Sequence, residues 1–245
     1  MIEGLNSAAA GMAAQRQRID AVANDLANTG TTGYKQVRVG FRDLAYSQAG
    51  KASELGVRTG AGVAAVDAGR TMRQGAVQRT DRPLDVAIQG EGFIQVTLAD
   101  GREALTRDGA LQVDGAGRLV TSNGGRLRPG VTVPAGTSES AISIGTDGTV
   151  TAAGRQVGQL QLVGVRSPQL LQSVGDNAFL VTPESGPAGA APRTTVLSQG
   201  ALEMSNVEVS EAMVAMIEAQ RSFELASKAI QTADRMMEIA NGVKR

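Results

Sequence analysis

Side chains of matching character recur every seven positions in two columns at the C-terminal end of this chain. One column reads Val209, Met216, Phe223, Ile230, Met237, and the other Ala212, Ala219, Ala226, Ala233, Ala240. Seven residues make two turns of an α-helix, so the columns are adjacent rows of the a and d type. One face therefore offers a ridge of large apolar groups beside a groove floored by methyls. Such a floor lets another helix backbone come close. The N-terminal region has the same period in Leu5, Met12, Ile19 and Leu26, with Ala8 and Val22 on the neighbouring row. This predicts a helix over about 6–26 with a moderate apolar stripe. Asn28, Gly30 and Gly33 follow it as residues that tolerate left-handed backbone.

Ser205 and Glu208 form a capping-box pattern that opens the C-terminal helix, which then runs to about residue 240. Asn241-Gly242 provides its stop, and Lys244 and Arg245 sit near the negative end of the dipole. Glu218 with Arg221, and Glu224 with Lys228, are helix-spaced pairs contributing about 0.3 kcal/mol each.

Between the helices the pattern changes. Short apolar or alternating runs at 84–88, 93–98, 111–113, 118–121, 141–144 and 159–165 are punctuated by Asp100-Gly101, Asp108-Gly109, Asp114-Gly115, Asn123-Gly124-Gly125 and Asp147-Gly148. Asp-Gly between β-prone runs predicts hairpin turns, in which both central residues take positive φ. No βαβ alternation occurs. Stretches 47–62, rich in glycine, and 183–193, with three prolines, read as linkers or exposed loops. The expected class is α+β, with terminal helices paired in a coiled-coil-like layer that brackets an antiparallel β-rich middle. The boundaries read as 1–33 for the first helix, 34–75 for an extended Gly-rich region, 76–200 for the β domain and 201–245 for the last helix.

Composition narrows the chemistry. The 245 residues contain no histidine and no cysteine. That removes His-based nucleophile systems, the commonest zinc ligand, thiol catalysis, iron–sulfur ligation and disulfides. Lys plus Arg equals Asp plus Glu at 24 each, so bulk charge makes no case for nucleic acid. No apolar run is long enough for a membrane span. Met1-Ile2-Glu3-Gly4 lacks the basic and apolar regions of a cleaved secretory signal.

Gly90-Glu91-Gly92 lacks the third glycine of a dinucleotide-binding loop, with Gln95 in its place, and a strand pattern follows instead of a helix. It reads as a tight β turn. The Asp-Gly aspartates are spread one per hairpin and do not form a calcium loop. Nothing nominates a catalytic pair, a metal site or a cofactor.

Two readings of the helices stay open. They form an ordinary hairpin within one chain, or they are an assembly surface for several chains. Met213, Val214 and Ile217 lie outside the two columns, and a helix that is apolar on several sides is usually surrounded by other helices. The candidate packing residues are Leu5, Met12, Ile19, Leu26, Val209, Ala212, Met216, Ala219, Phe223, Ala226, Ile230, Ala233, Met237 and Ala240. A secreted β-rich binding protein with a simple helical hairpin is the competing class.

Asn24-Asp25-Leu26-Ala27-Asn28 followed by Thr32-Gly33-Tyr34-Lys35 closely resembles the N-terminal signature of bacterial flagellar rod and hook proteins. The signature residues are Asn24, Leu26, Asn28, Gly33, Tyr34 and Lys35, while Asp25 and Tyr34 stand where Asn and Phe are commoner. The resemblance continues at Gln74-Gly75, from Pro83 to Phe93, at Thr106-Arg107-Asp108-Gly109, Gln199-Gly200, Leu202-Glu203 and Ser205-Asn206-Val207, and from Ile217 to Ile230. Length, and the run from Ser227 through Thr232-Ala233-Asp234 to Met237, resemble the rod members; hook members carry a large extra outer domain. The resemblance implies a structural subunit of the flagellar basal body, exported unfolded by the flagellar type III apparatus without cleavage. It implies head-to-tail helical assembly into a hollow drive shaft, with the helices as the inner tube. The implied partners are copies of itself, other rod proteins, the hook protein and surrounding rings.

Overall fold

The computed structural model describes residues 2–44, 46–47 and 59–242. Most of the Gly-rich stretch 47–62, and the terminal Lys244 and Arg245, therefore lie outside the described residues. The fold is α+β: a helix at each end of the chain and antiparallel strands between them. The chain divides into two compact units. One comprises Met1–Ala27, Val37–Ala68 and Glu208–Arg245, the other Asn28–Gln36 and Gly69–Val207.

In the first unit, helix α1 (Ile2–Ala27) packs along helix α2 (Val209–Gly242). Alanines supply much of both sequences, and alanine has the highest helix propensity. Ala14, Ala212 and Ala219 are buried, the last completely. Arg18 donates across the pair to Glu218 at 3.4 Å. A two-stranded ribbon, Val37–Asp43 with Val63–Arg70, belongs to the unit as far as Ala68. Gly62 takes a φ of 102°, and a Cβ there would lie 2.9 Å from the Ala10 Cβ. Its lack of a side chain lets the incoming strand touch α1.

The start of α2 differs from the capping-box expectation. The helix begins at Val209, and its first backbone bond runs from the Ala212 N–H to the Glu208 carbonyl. Ser205 instead accepts from the Val207 N–H at 3.3 Å. Asn206 explains the delay. Its side-chain amide donates to the Thr71 and Arg73 carbonyls and accepts from the Gln36 N–H, which holds 205–207 extended. The far end of α2 includes Asn241 and Gly242, so the expected stop falls within the helix.

The second unit is built from antiparallel sheets. Its largest runs in the order Gln172–Gly175, Ala178–Leu180, Glu103–Thr106, Phe93–Thr97, Arg126–Leu127, Leu119–Thr121, Leu111–Val113, with Leu162–Gly164 joined to the central strand. Ile142–Ile144, Thr149–Ala152 and Arg155–Gln159 form a separate meander. Val86–Gln89 pairs with Val196–Gln199, and Val77–Arg79 with Ala201–Glu203. The core gathers Val86, Ile88, Ile94, Leu111, Leu119 and Val150, all essentially inaccessible. Phe93 and Phe179 meet edge to face at 6.2 Å in a smaller cluster. The expected strand 159–165 is interrupted, because Leu160 turns into the core and its N–H donates to the Gly148 carbonyl.

The turns refine the Asp-Gly expectation. Gly101 and Gly148 take positive φ, but Asp100 and Asp147 do not. Both central residues are left-handed at Ala153-Gly154 and Asp176-Asn177. Asp108-Gly109 is no hairpin turn. Gly109 is needed because a Cβ there would collide with the Val86 carbonyl. At the hairpin turns the aspartate works through its carboxylate. Asp100 accepts from the Arg102 N–H, Asp114 from the Ala116 and Arg118 N–H groups, and Asp147 from the Thr149 N–H.

These bonds hold the three carboxyls below their ordinary value of 3.8. The main cause is the Arg102 backbone for Asp100, the Arg118 backbone for Asp114 and the Thr149 hydroxyl for Asp147. A depressed native pKa contributes stability that is complete above the unfolded value and lost as pH falls through the native one. The β unit is therefore expected to lose stability progressively below about pH 4. An Asp100→Asn, Asp114→Asn, Asp147→Asn triple variant should show a shallower loss when denaturant midpoints are compared between pH 5 and pH 2.

Candidate functional site

Of the two seven-residue columns of α2, the structure covers the residues from Ala212 to Met237 in whole or in part. Ala212 and Ala219 are buried, and Met216, Phe223, Ala226, Ile230, Ala233 and Met237 are half-buried. Leu5, Met12, Ile19 and Leu26 of α1 are likewise half-buried. Val209 stays 43 % exposed at the mouth of the helix, and the Ala240 side chain lies outside what is described. Ala212 and Ala219 are thus buried in the unit in which α2 packs on α1. Incomplete burial of the large residues leaves them reachable by further neighbours.

On the opposite side of α2 a second apolar face is uncovered. Met213, Val214, Ile217, Leu225, Met236 and Ile239 are each about half exposed or more. At about 100° per residue Val214 and Ile217 lie opposite the alanine column, Met213, Leu225 and Ile239 lie about 100° from it, and Met236 borders it. The sequence indicated only Met213, Val214 and Ile217 of this face, because the C-terminal members are spaced too irregularly to form a column.

The signature residues act differently. Asn24 is exposed on α1, and Leu26 and Asn28 are half-buried. Asp25 is buried and accepts from the Val37 N–H at 3.1 Å, which ties the strand after α1 to the helix. Asn28 accepts from the Thr31 hydroxyl at 3.0 Å in the turn that follows. Of the three residues expected to end α1, only Gly33 has positive φ, at 67°.

Gly33, Tyr34 and Lys35 enter the interior of the second unit. The Gly33 N–H donates to the Glu203 carbonyl at 2.7 Å, and the Arg70 guanidinium lies 5.4 Å from the centre of the Tyr34 ring. Lys35 is fully buried. Its ammonium donates to the Glu203 carboxylate at 2.5 Å and to the Arg73 carbonyl at 2.7 Å. The same carboxylate takes Arg107 at 3.1 Å and the Gly75 N–H at 2.9 Å. Arg107 also donates to the Gly90 carbonyl and lies over the Phe93 ring at 5.3 Å. Burial pulls the Lys35 pKa below its ordinary value, while the Glu203 charge opposes the shift.

Around this pair of cations the other motif residues close the cage. Asp108 accepts from the Thr32 and Ser122 hydroxyls, and Gln74 bridges the Ile88 carbonyl and the Gly90 N–H. A Cβ on Gly33 would lie 2.7 Å from the Asp108 nitrogen, and one on Gly75 would strike the Met204 carbonyl. Gly90 and Gly92 take positive φ, 109° and 149°, in a bend between two strands that replaces the expected tight β turn. Glu203 and Arg107 were not nominated as site residues from sequence. Their signal was a charged residue within an apolar strand motif, as in Ala201-Leu202-Glu203.

The arrangement suits architecture. Lys35, Arg107 and Glu203 hold strand ends together, although the buried Arg107 Nε has no hydrogen-bond partner, and among the described residues no cluster of carboxylates could hold a metal. Removing one member of a buried charge network leaves the others uncompensated, at about 3–5 kcal/mol. Glu203→Gln and Lys35→Met are each expected to destabilise the β unit by about that much in urea unfolding. Gly33→Ala adds strain at positive φ and a clash, and should cost more than about 1 kcal/mol.

Comparison with known proteins agrees with this architectural character. A family model described as Flagella basal body rod protein matches residues 5–35. The Flagellar hook protein FlgE/F/G D1 domain matches 87–152, and the Flagellar basal body rod FlgEFG protein C-terminal matches 198–243. The chain is 39 % identical over 264 residues to the flagellar basal-body rod protein FlgG of Borreliella burgdorferi, covering 100 % of both. It is 36 % identical to FlgG of Caulobacter vibrioides, covering 99 % of this chain and 100 % of the relative. It is 33 % identical, over all of both chains, to the flagellar hook-basal body complex protein FlhP of Bacillus subtilis. The chain belongs to the flagellar basal-body rod proteins of the FlgG type, and is a structural subunit of the distal rod in the flagellar basal body.

Proposed function

We propose that the chain polymerises helically with copies of itself into a stiff hollow shaft. The shaft transmits torque from motor to hook and lets exported proteins pass. Other rod proteins, the hook protein, surrounding rings and the type III export apparatus are its partners, and it performs no catalysis. One observation carries this reading. The helix pair formed by the two ends of the chain covers one apolar side of α2 and leaves the other open. A large apolar residue contributes about 1.5–3 kcal/mol when fully buried, so the open side gains substantially when neighbours cover it. The packing residues Leu5, Met12, Ile19 and Leu26 of α1, with the ridge and alanine columns of α2, act in this reading as the frame of the assembling element. The lack of histidine and cysteine supports a non-catalytic role.

Ala219 tests the frame, since it has no exposed surface and faces α1. Ala219→Leu adds three carbons where there is no space, at about 1–3 kcal/mol. The variant is expected to abolish rods and motility while the β unit keeps its unfolding midpoint; Ala226→Leu, at a half-buried position, should act in the same direction more weakly. Electron microscopy of basal bodies containing the tagged subunit provides the readout. Normal rods from Ala219→Leu, or absence of the subunit from the rod, would overturn the reading.

A further inference from the structure

The uncovered side of α2 is uneven in charge. Residues 205–220 contain Glu208, Glu211 and Glu218 and no lysine or arginine. Glu211, Val214 and Glu218 line a shallow depression together with Ser210 and Ala215. Farther along the helix, Arg221, Lys228 and Arg235 recur every seven residues and are all exposed. Glu224, Asp234 and Glu238 accompany this basic column along its side.

Angular position matters as much as charge. At about 100° per residue, Glu211 and Glu218 border the Met213, Val214, Ile217 patch on one flank. Lys228 and Arg235 border Leu225 and Met236 on the other. When two parallel helices face each other, opposite flanks of their apolar stripes meet, as g and e positions do in a coiled coil. The acidic flank of one copy therefore meets the basic flank of another.

We propose that this face of α2 docks on the same face of a second copy, parallel and displaced by half a helix. Glu211 then pairs with Lys228 of the second copy and Glu218 with its Arg235. Each pair is separated by 17 residues in the sequence, so one displacement of about 26 Å satisfies both. Half of the 34-residue helix is used by the copy below, and the other half stays open for a copy above. The bulky Met213, Val214 and Ile217 face the small Ala229 and Thr232. Glu218 also holds Arg18 at 3.4 Å, but its side chain is 62 % exposed and can accept a second cation. Such a contact is heterologous and does not close, so it propagates. The inference rests on the rod reading and specifies which face and register that assembly uses.

The absence of native cysteine makes the test direct. In a full-length Glu211→Cys, Lys228→Cys variant the two thiols are about 26 Å apart on one helix, far beyond disulfide reach. Oxidation under assembly conditions is expected to give a ladder of covalently linked chains. A Glu211→Cys, Arg221→Cys pair, one heptad off register, should give at least about tenfold less. Charge reversal is the second arm. Glu211→Lys with Glu218→Lys, and separately Lys228→Glu with Arg235→Glu, should each raise the concentration needed for assembly about tenfold or more. An equimolar mixture of the two should restore assembly, while helix content by circular dichroism stays unchanged. No interchain disulfide, or no rescue on mixing, in a chain that still builds rods overturns this face and leaves the rod reading standing. Failure of the unaltered chain to assemble overturns both.

Discussion

One buried carboxylate organises the β unit. Glu203 has almost no contact with solvent, yet it pairs with both Lys35 and Arg107 and accepts the Gly75 N–H. Its backbone carbonyl meanwhile fixes the Gly33 N–H. Segments far apart in the chain are therefore held at one point. Burying two cations in a low-dielectric interior is expensive unless geometry and hydrogen bonding are good. Here the surrounding backbone supplies both, through the carbonyls of Arg73 and Gly90. Glycines at 33 and 75 are required because the backbones approach too closely for any side chain.

The helix pair uses a different economy. Its seam is floored by methyls, so α1 and α2 approach closely without a thick core of large side chains, and Ala219 disappears completely. A seam of this kind buries little apolar area per residue. The larger apolar groups are left for other contacts, and α2 offers them on its opposite side. Shape fixes the pairing inside the chain, while apolar area and charge remain available outside it.

Much of this was legible in the sequence. The seven-residue columns marked α2 and its inner face, because period and rotation per residue are locked together in a helix. Strands such as Leu111–Val113 and Phe93–Thr97 were visible between turn residues. The start of α2 was not. Asn206 is drawn into hydrogen bonds with Thr71 and Arg73, and no local rule anticipates partners some 130 residues away in sequence. The turn aspartates do not take the positive φ that the Asp-Gly pattern predicts for both central residues. They work chiefly by accepting backbone N–H groups, and the two doubly left-handed turns fall at Ala153-Gly154 and Asp176-Asn177.

The sequence by itself determined the periodic surfaces, the α+β order and the chemistry that histidine and cysteine would have brought. These follow from local geometry and composition, which a linear string carries in full. Only the tertiary structure decided that Ala212 and Ala219 are the buried members of the alanine column, and that Lys35, Arg107 and Glu203 share one buried site. Both depend on which distant segments meet, and that is set by the packing of the whole chain and the cost of leaving a charge unpaired inside it.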